Sequence, residues 1–317
     1  MRKLALWISG LVVSILVVMV AVYIYAGIRA PHLDDAARAE LSASGEAHAF
    51  ATLSAGTVHY RLEGPDTGET VLLIHGFSTP SFVWNAQIES LVRSGYRVLT
   101  FDNYGRGFSD RPDTEYNADL TDKLVTDLLT ALDISGPVHL VGYSMGGSTA
   151  AVFASRHPEK VSSVTFIATA GLGGADFPGW TQSPAADWMF RVLGPGLMKG
   201  RQADGEPAAT DPDGFRASFA RQFDWGGTPR ALLSSIRHYP FSGLEEAFGT
   251  IEKTGTPTLI IWGENDQVVP YSDAAIAKSL IPSADLIAYP DIGHAITYAQ
   301  PDLVTVPLKA FLVGVDG

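Results

Sequence analysis

The 317-residue chain contains no cysteine, so it can form no disulfide, thiolate nucleophile or thiolate metal ligand. Lack of disulfides leaves the compartment open, because an extracytoplasmic protein need not carry them. Basic residues are scarce: 22 Lys and Arg against 34 Asp and Glu give a net charge of −12. An acidic surface attracts neither nucleic acid nor anionic head groups, so neither is expected as the main partner. No Gly-Lys-Ser/Thr phosphate loop occurs, and Gly171-Leu172-Gly173-Gly174 lacks the strand-turn-helix setting and downstream acid of a dinucleotide fingerprint. That tetrapeptide reads as a hinge. Neither a metal nor a cofactor is expected.

One stretch also lacks charge. Residues 4–27 include no Asp, Glu, Lys, Arg or His. At about 1.5 Å per residue a helix of this length reaches roughly 36 Å, enough to span a hydrocarbon core. Arg2 and Lys3 precede it, and Trp7, Tyr23 and Tyr25 stand where interfacial aromatics belong. The apolar run exceeds the roughly 7–15 residues of a secretory h-region, which favours an uncleaved single-pass signal anchor over a removed signal peptide. The expected topology puts the N-terminus in the cytoplasm and the rest of the chain outside. The alternative is secretion after cleavage.

Residues 28–46 are polar and Ala-rich and read as a short helix or linker. Beyond them, runs at 51–53 and 58–62 suggest a starting hairpin. Continuous apolar runs at 71–74, 97–101, 138–141, 161–167, 258–262 and 285–289 read as strands covered on both faces. Helical patterns at 81–93, 120–132, 145–157, 271–280 and 296–312 alternate with them. Alternating strand and helix implies an α/β fold with a mostly parallel, doubly wound sheet. The alternation fails over 171–248, where Gly, Pro and aromatics mix without a strand run. That span is expected to be a helical cap inserted into a core made of 47–170 and 249–317.

Gly142-Tyr143-Ser144-Met145-Gly146 lies between the run 138–141 and a helical pattern. In that setting the pentapeptide is a nucleophile elbow, a sharp strand-to-helix turn presenting the serine hydroxyl. A serine needs a base, and His294 sits between the last strand and the last helix, where its ring can reach over the strand ends. The base needs an acid to fix its tautomer; Asp266, after the run 258–262, keeps the chain order serine, acid, histidine, with Glu264 as runner-up. Two backbone N–H groups should hold the oxyanion, those of Met145, after the nucleophile, and Phe77, in the loop His75-Gly76-Phe77-Ser78. His75 itself reads as structural.

His75-Gly76-Phe77, the stretch from Phe101-Asp102-Asn103-Tyr104-Gly105-Arg106 to Gly107-Phe108-Ser109-Asp110, the elbow and the two late loops resemble the landmarks of the α/β-hydrolase superfamily, in its order, over residues 48–315. With an N-terminal membrane helix, the chain is similar to membrane-anchored monoacylglycerol lipases and esterases. The resemblance implies an acyl-enzyme reaction on carboxylic esters without a cofactor. A serine at the elbow excludes relatives that use aspartate there, but leaves thioesters, carbon–carbon bonds, perhydrolysis and non-catalytic ligand binding open. Aromatics of the insertion point to an apolar small-molecule ester, with Phe77, Trp180, Trp188 and Phe190 as candidate lining residues.

Overall fold

Strands form where apolar runs can be covered on both faces. In a computed structural model, which describes residues 2–29, 31–43, 47–174, 177–205 and 211–316, eight of them make one sheet. Residues 30 and 44–46 of the expected linker, 175–176 and 206–210 of the expected insertion, and 317 lie outside the described residues. The strands are β1 (Ala49–Leu53), β2 (Gly56–Glu63), β3 (Thr70–Ile74), β4 (Arg97–Phe101), β5 (Val138–Tyr143), β6 (Val161–Ile167), β7 (Thr258–Gly263) and β8 (Asp285–Tyr289). Their order is β1-β2-β4-β3-β5-β6-β7-β8. The first hairpin is antiparallel and β2 runs antiparallel to β4, while all other pairs are parallel. Every residue of β3, β5 and β7 is buried, as continuous apolar runs between two helical layers require.

The chain carries thirteen α-helices among the described residues. Before the sheet come α1 (Arg2–Arg29) and α2 (Asp35–Ser42). The crossovers supply α3 (Asn85–Arg93), α4 (Ala118–Ala131) and α5 (Met145–Arg156). Between β6 and β7 lie α6 (Pro184–Val192), α7 (Gly194–Gly205), α8 (Pro212–Arg221), α9 (Thr228–His238) and α10 (Glu245–Thr254). The last part holds α11 (Ser272–Leu280), α12 (Ile296–Ala299) and α13 (Pro301–Asp316). One layer joins α3 to α13, and the other joins α4, α5, α10 and α11. Phe248 of α10 is fully buried and stacks on Phe166 of β6 at 4.7 Å, so α10 covers the sheet although its residues 245–248 fall within the insertion expected over 171–248.

The helix expected over 296–312 is broken. Gln300 leaves helical geometry at φ −137° and α13 begins at Pro301. A proline ring clashes with a helical conformation at the preceding residue, which accounts for the break. Residues 81–93 likewise open with a 3₁₀ turn, Ser81–Trp84, before α3.

The N-terminal helix stands apart. Within it Leu6–Arg29, 24 residues, is long and apolar enough to cross a membrane, and its most apolar stretch is wholly unburied. The segment 31–42, which ends in α2, is fastened to the domain by buried Leu33 and Leu41, by an Arg38–Asp110 ion pair and by the Gly226 amide donating to Pro31 O at 2.9 Å.

Candidate active site

Ser144 joins β5 to α5 with φ 55° and ψ −120°, a conformation costing a residue with a side chain about 1–3 kcal/mol. The turn is tight enough that a β-carbon at Gly146 would strike Ile74 O, and one at Gly142 would strike Gly146 O. Glycine is therefore required on both sides of the serine. The strain lifts the Ser144 hydroxyl above the carboxyl ends of the strands and aims it at His294.

His294 lies in the loop between β8 and α12. Its Nε2 is 3.0 Å from Ser144 Oγ, and its Nδ1 is 2.7 Å from Asp266 Oδ2. A carboxylate only accepts, so Nδ1–H donates to Asp266 and Nε2 is left to accept the serine proton. Asp266 is buried, and its other oxygen accepts the Val268 and Val269 amides, each at 2.8 Å. With Oδ1 so held, Oδ2 is fixed toward the imidazole. Tyr143 flanks the ring at 5.1 Å and donates its hydroxyl to His294 O at 3.0 Å. Glu264, the runner-up acid, is exposed and does not join this chain.

The loop after β3 is equally constrained. His75 is fully buried; Nδ1–H donates to Gly76 O at 2.8 Å and Nε2 accepts the Asn103 amide at 2.9 Å. Burial lowers its pKa to about 4, so it stays neutral and clamps the loop bearing Phe77 to the end of β4. Asp102 accepts from Ser81 N, Ser81 Oγ, Phe108 N and His59 Nδ1. Burial pushes its pKa up, but the charge and hydrogen bond of His59 and the other donors outweigh this and hold it well below the carboxylate range. Both residues are scaffold for the turn between β4 and α4.

Arg106 is a site residue that composition and spacing gave no reason to select. It is 1% exposed, donates Nε to Phe77 O at 2.9 Å and Nη2 to Ser235 Oγ at 2.8 Å, and lies 5.4 Å from the Phe77 ring. Burial lowers its pKa to about 10, which leaves it charged at neutral pH. Its position between two glycines of a turn was the one available signal. The Phe77 amide has no protein acceptor among the described residues and stays available to a ligand oxygen.

Phe77 meets two other phenyl rings, Phe241 at 5.6 Å and Phe177 at 6.2 Å, which are 5.1 Å from each other. Phe241 escaped sequence reasoning because the isolated bridge Gly173–Ser242 that brings it over the loop after β3 has no sequence signature. Among the described residues no hydrogen bond or ring contact joins the other three candidate lining residues to Ser144, His294 or Asp266. Trp188 donates its indole N–H to Met19 O of α1 at 2.9 Å. Phe190 borders a cavity of about 730 Å³ whose far wall includes Tyr23 and Gly27 of α1, and Trp180, 46% exposed, lies 6.3 Å from Phe190. Of the four, only Phe77 lies in the loop whose Gly76 backs directly on Ser144. Among the described residues no cluster of three or more histidine or carboxylate side chains is placed to hold a metal ion.

The family profile of the alpha/beta hydrolase fold matches residues 69–299. Lipase 3 of Moraxella sp. (strain TA144) is 28% identical over 233 residues, 72% of each chain. Non-heme chloroperoxidase of Streptomyces lividans is 29% identical over 278 residues, 82% of this chain and 98% of that one. Among solved structures, a membrane phospholipase A described as a bacterial virulence factor superposes with a TM-score of 0.70 at 24% identity, covering 100% of both chains. At that identity the likeness is one of fold.

Proposed function

From the membership of this chain in the alpha/beta hydrolase fold family, we propose that it is a membrane-anchored serine esterase acting on apolar acyl esters of the monoacylglycerol kind. The observation that carries the reading is the continuous hydrogen-bonded chain Asp266–His294–Ser144. Ser144 Oγ attacks the ester carbonyl while His294 Nε2 takes its proton, and Asp266 holds the imidazolium. The Phe77 and Met145 amides receive the oxyanion, His294 returns the proton to the leaving alcohol, and a water activated by His294 releases the acid. No cofactor enters these steps.

Ser144→Ala should abolish hydrolysis of a short p-nitrophenyl ester without lowering Tm. Undiminished turnover in that variant overturns the assignment. The apolar substrate preference rests on the Phe77, Phe177 and Phe241 rings and on the lipase relative. Comparing acyl esters of increasing chain length, thioesters and dienoic diketones tests it, and faster cleavage of either non-ester class refutes it.

The chloroperoxidase relative favours one second reading, in which hydrogen peroxide replaces water at the acyl-enzyme and a peracid leaves. Peracid formation from acetate and peroxide, lost in Ser144→Ala, would support it.

The anchor reading rests on the apolar and unburied helix α1. It places residues 4–27 in the bilayer, the N-terminus in the cytoplasm and the sheet domain, with 171–248 as its cap, outside. Full-length protein should stay in the membrane pellet after carbonate washing, and release into the supernatant refutes the anchor.

A further inference from the structure

Outside α1, eight large apolar side chains are exposed among the described residues, and four of them, Trp180, Met189, Leu193 and Leu197, lie on the turn before α6, on α6 and at the start of α7. Their exposure runs from 38% to 60%. Isolated exposed apolar residues need no explanation, whereas a group on one edge marks an interaction surface. What covers this edge is indicated by its neighbour, because α6 is the element on which α1 chiefly packs.

The contacts fix a depth. Trp188 Nε1 donates to Met19 O at 2.9 Å, and the Arg191 guanidinium lies 4.3 Å from the centre of the Tyr23 ring. A hydrocarbon core of about 30 Å takes roughly 20 helical residues. Counted from Leu4, the first residue past Arg2 and Lys3, the core ends near Tyr23, and any tilt moves that limit toward Gly27. Met19 is four residues below Tyr23, about 6 Å deeper. The Trp188 indole therefore sits below the hydrocarbon boundary, where its N–H must find an acceptor inside the protein, and the Met19 carbonyl is that acceptor. Arg191 has a stem long enough to hold its charge at the boundary beside Tyr23. The carboxylate of α6, Asp187, is turned back to the domain and accepts two bonds from Arg237, at 3.0 and 3.1 Å.

We propose that the edge formed by α6 and the start of α7 is seated in the acyl boundary of the same bilayer that α1 crosses, with Trp180, Met189, Leu193 and Leu197 entering the leaflet. The protein is then held by two contacts with lipid, a spanning helix and an in-plane edge. The inference rests on the reading of α1 as an anchor, and the experiment separates the two.

The chain has no native cysteine, so Trp180→Cys, Leu193→Cys and Leu197→Cys in the full-length protein each give a single site for a nitroxide label. Val12→Cys on α1 and Val306→Cys on α13 serve as references. In phosphatidylcholine proteoliposomes, collision of each label with oxygen, which concentrates in lipid, is compared with collision with a water-soluble nickel chelate. Labels at 180, 193 and 197 should favour oxygen, as at 12, while the label at 306 favours the chelate. Labels at 180, 193 and 197 that behave like 306 while 12 stays in lipid overturn the proposal and leave the anchor intact. A water-exposed label at 12 overturns both. Shielding from both agents with spin–spin broadening assigns the edge to a contact between two copies and also overturns it.

Discussion

Replacing Asp266 with asparagine tests whether the acid acts by setting the tautomer of His294. Oδ1 accepts two amides and Oδ2 accepts the imidazole N–H. Asparagine has only one acceptor oxygen. If that oxygen turns to the ring, the Val268 and Val269 N–H groups lose their acceptor, at about 1–3 kcal/mol for each buried donor. Keeping those two bonds points the NH₂ at Nδ1, which must then accept, so the ring proton moves to Nε2. Nε2 then presents a hydrogen to Ser144 Oγ, 3.0 Å away, and cannot act as base. The two lost bonds outweigh the one retained, so the wrong tautomer prevails. A loss of about 10⁴ in kcat follows, near 5.4 kcal/mol at 1.36 kcal/mol per factor of ten. Steady-state and burst kinetics with p-nitrophenyl butyrate measure it, with Tm as the control for folding. A loss below about tenfold, or an equal loss in Glu264→Gln, refutes the reasoning.

Arg106→Met removes the donor to Phe77 O and should lower kcat about tenfold with little change in KM, since one buried bond is worth roughly 1–3 kcal/mol; a change confined to KM would show that the arginine does not position the loop bearing Phe77. His75 is buried neutral with a folded pKa of about 4 against 6.5 unfolded, so its stabilisation is complete above pH 6.5 and is lost as pH falls toward 4. That loss should reach about 3 kcal/mol by pH 4 and be absent in His75→Gln, measured by urea unfolding at several pH values. Ser144→Gly should unfold about 1 kcal/mol later than Ser144→Ala, because glycine accepts φ 55° without strain and its extra chain entropy offsets only part of the gain.

The landmarks that were legible are local. A buried parallel strand is a continuous apolar run, so β3, β4, β5, β6 and β7 stand out, whereas β8, expected to be covered on both faces, lies at the sheet edge with no fully buried residue; the elbow glycines are dictated by contacts within one turn. Asp266 and His294 could be placed because each follows directly on a strand whose end the sheet fixes. The insertion was not legible in that way. Its helices carry aromatics on several faces, and which face turns to Ser144 depends on packing against α1 and on one isolated bridge at Ser242. Trp188 and Phe190 thus read as catalytic-side aromatics, whereas Trp188 bonds to α1 and Phe190 borders the cavity that α1 also lines. Arg106 escapes sequence reasoning because a charged residue in a turn ordinarily faces water, and it is the rings of Phe77 and Tyr116 and three neutral oxygens around it that account for its burial.

The order in which the three residues of the chain Asp266–His294–Ser144 leave the ribosome has a consequence in time. Ser144 leaves the ribosome 150 residues before His294, the residue whose Nε2 it meets. β8 is an edge strand paired to β7 alone, so His294 is not brought to the serine until that strand has been made and has docked. A growing chain that has docked β5 but not β8 therefore holds Ser144 without its hydrogen-bond partner, and on the proposed reading the nucleophile stays unarmed until β8 pairs with β7.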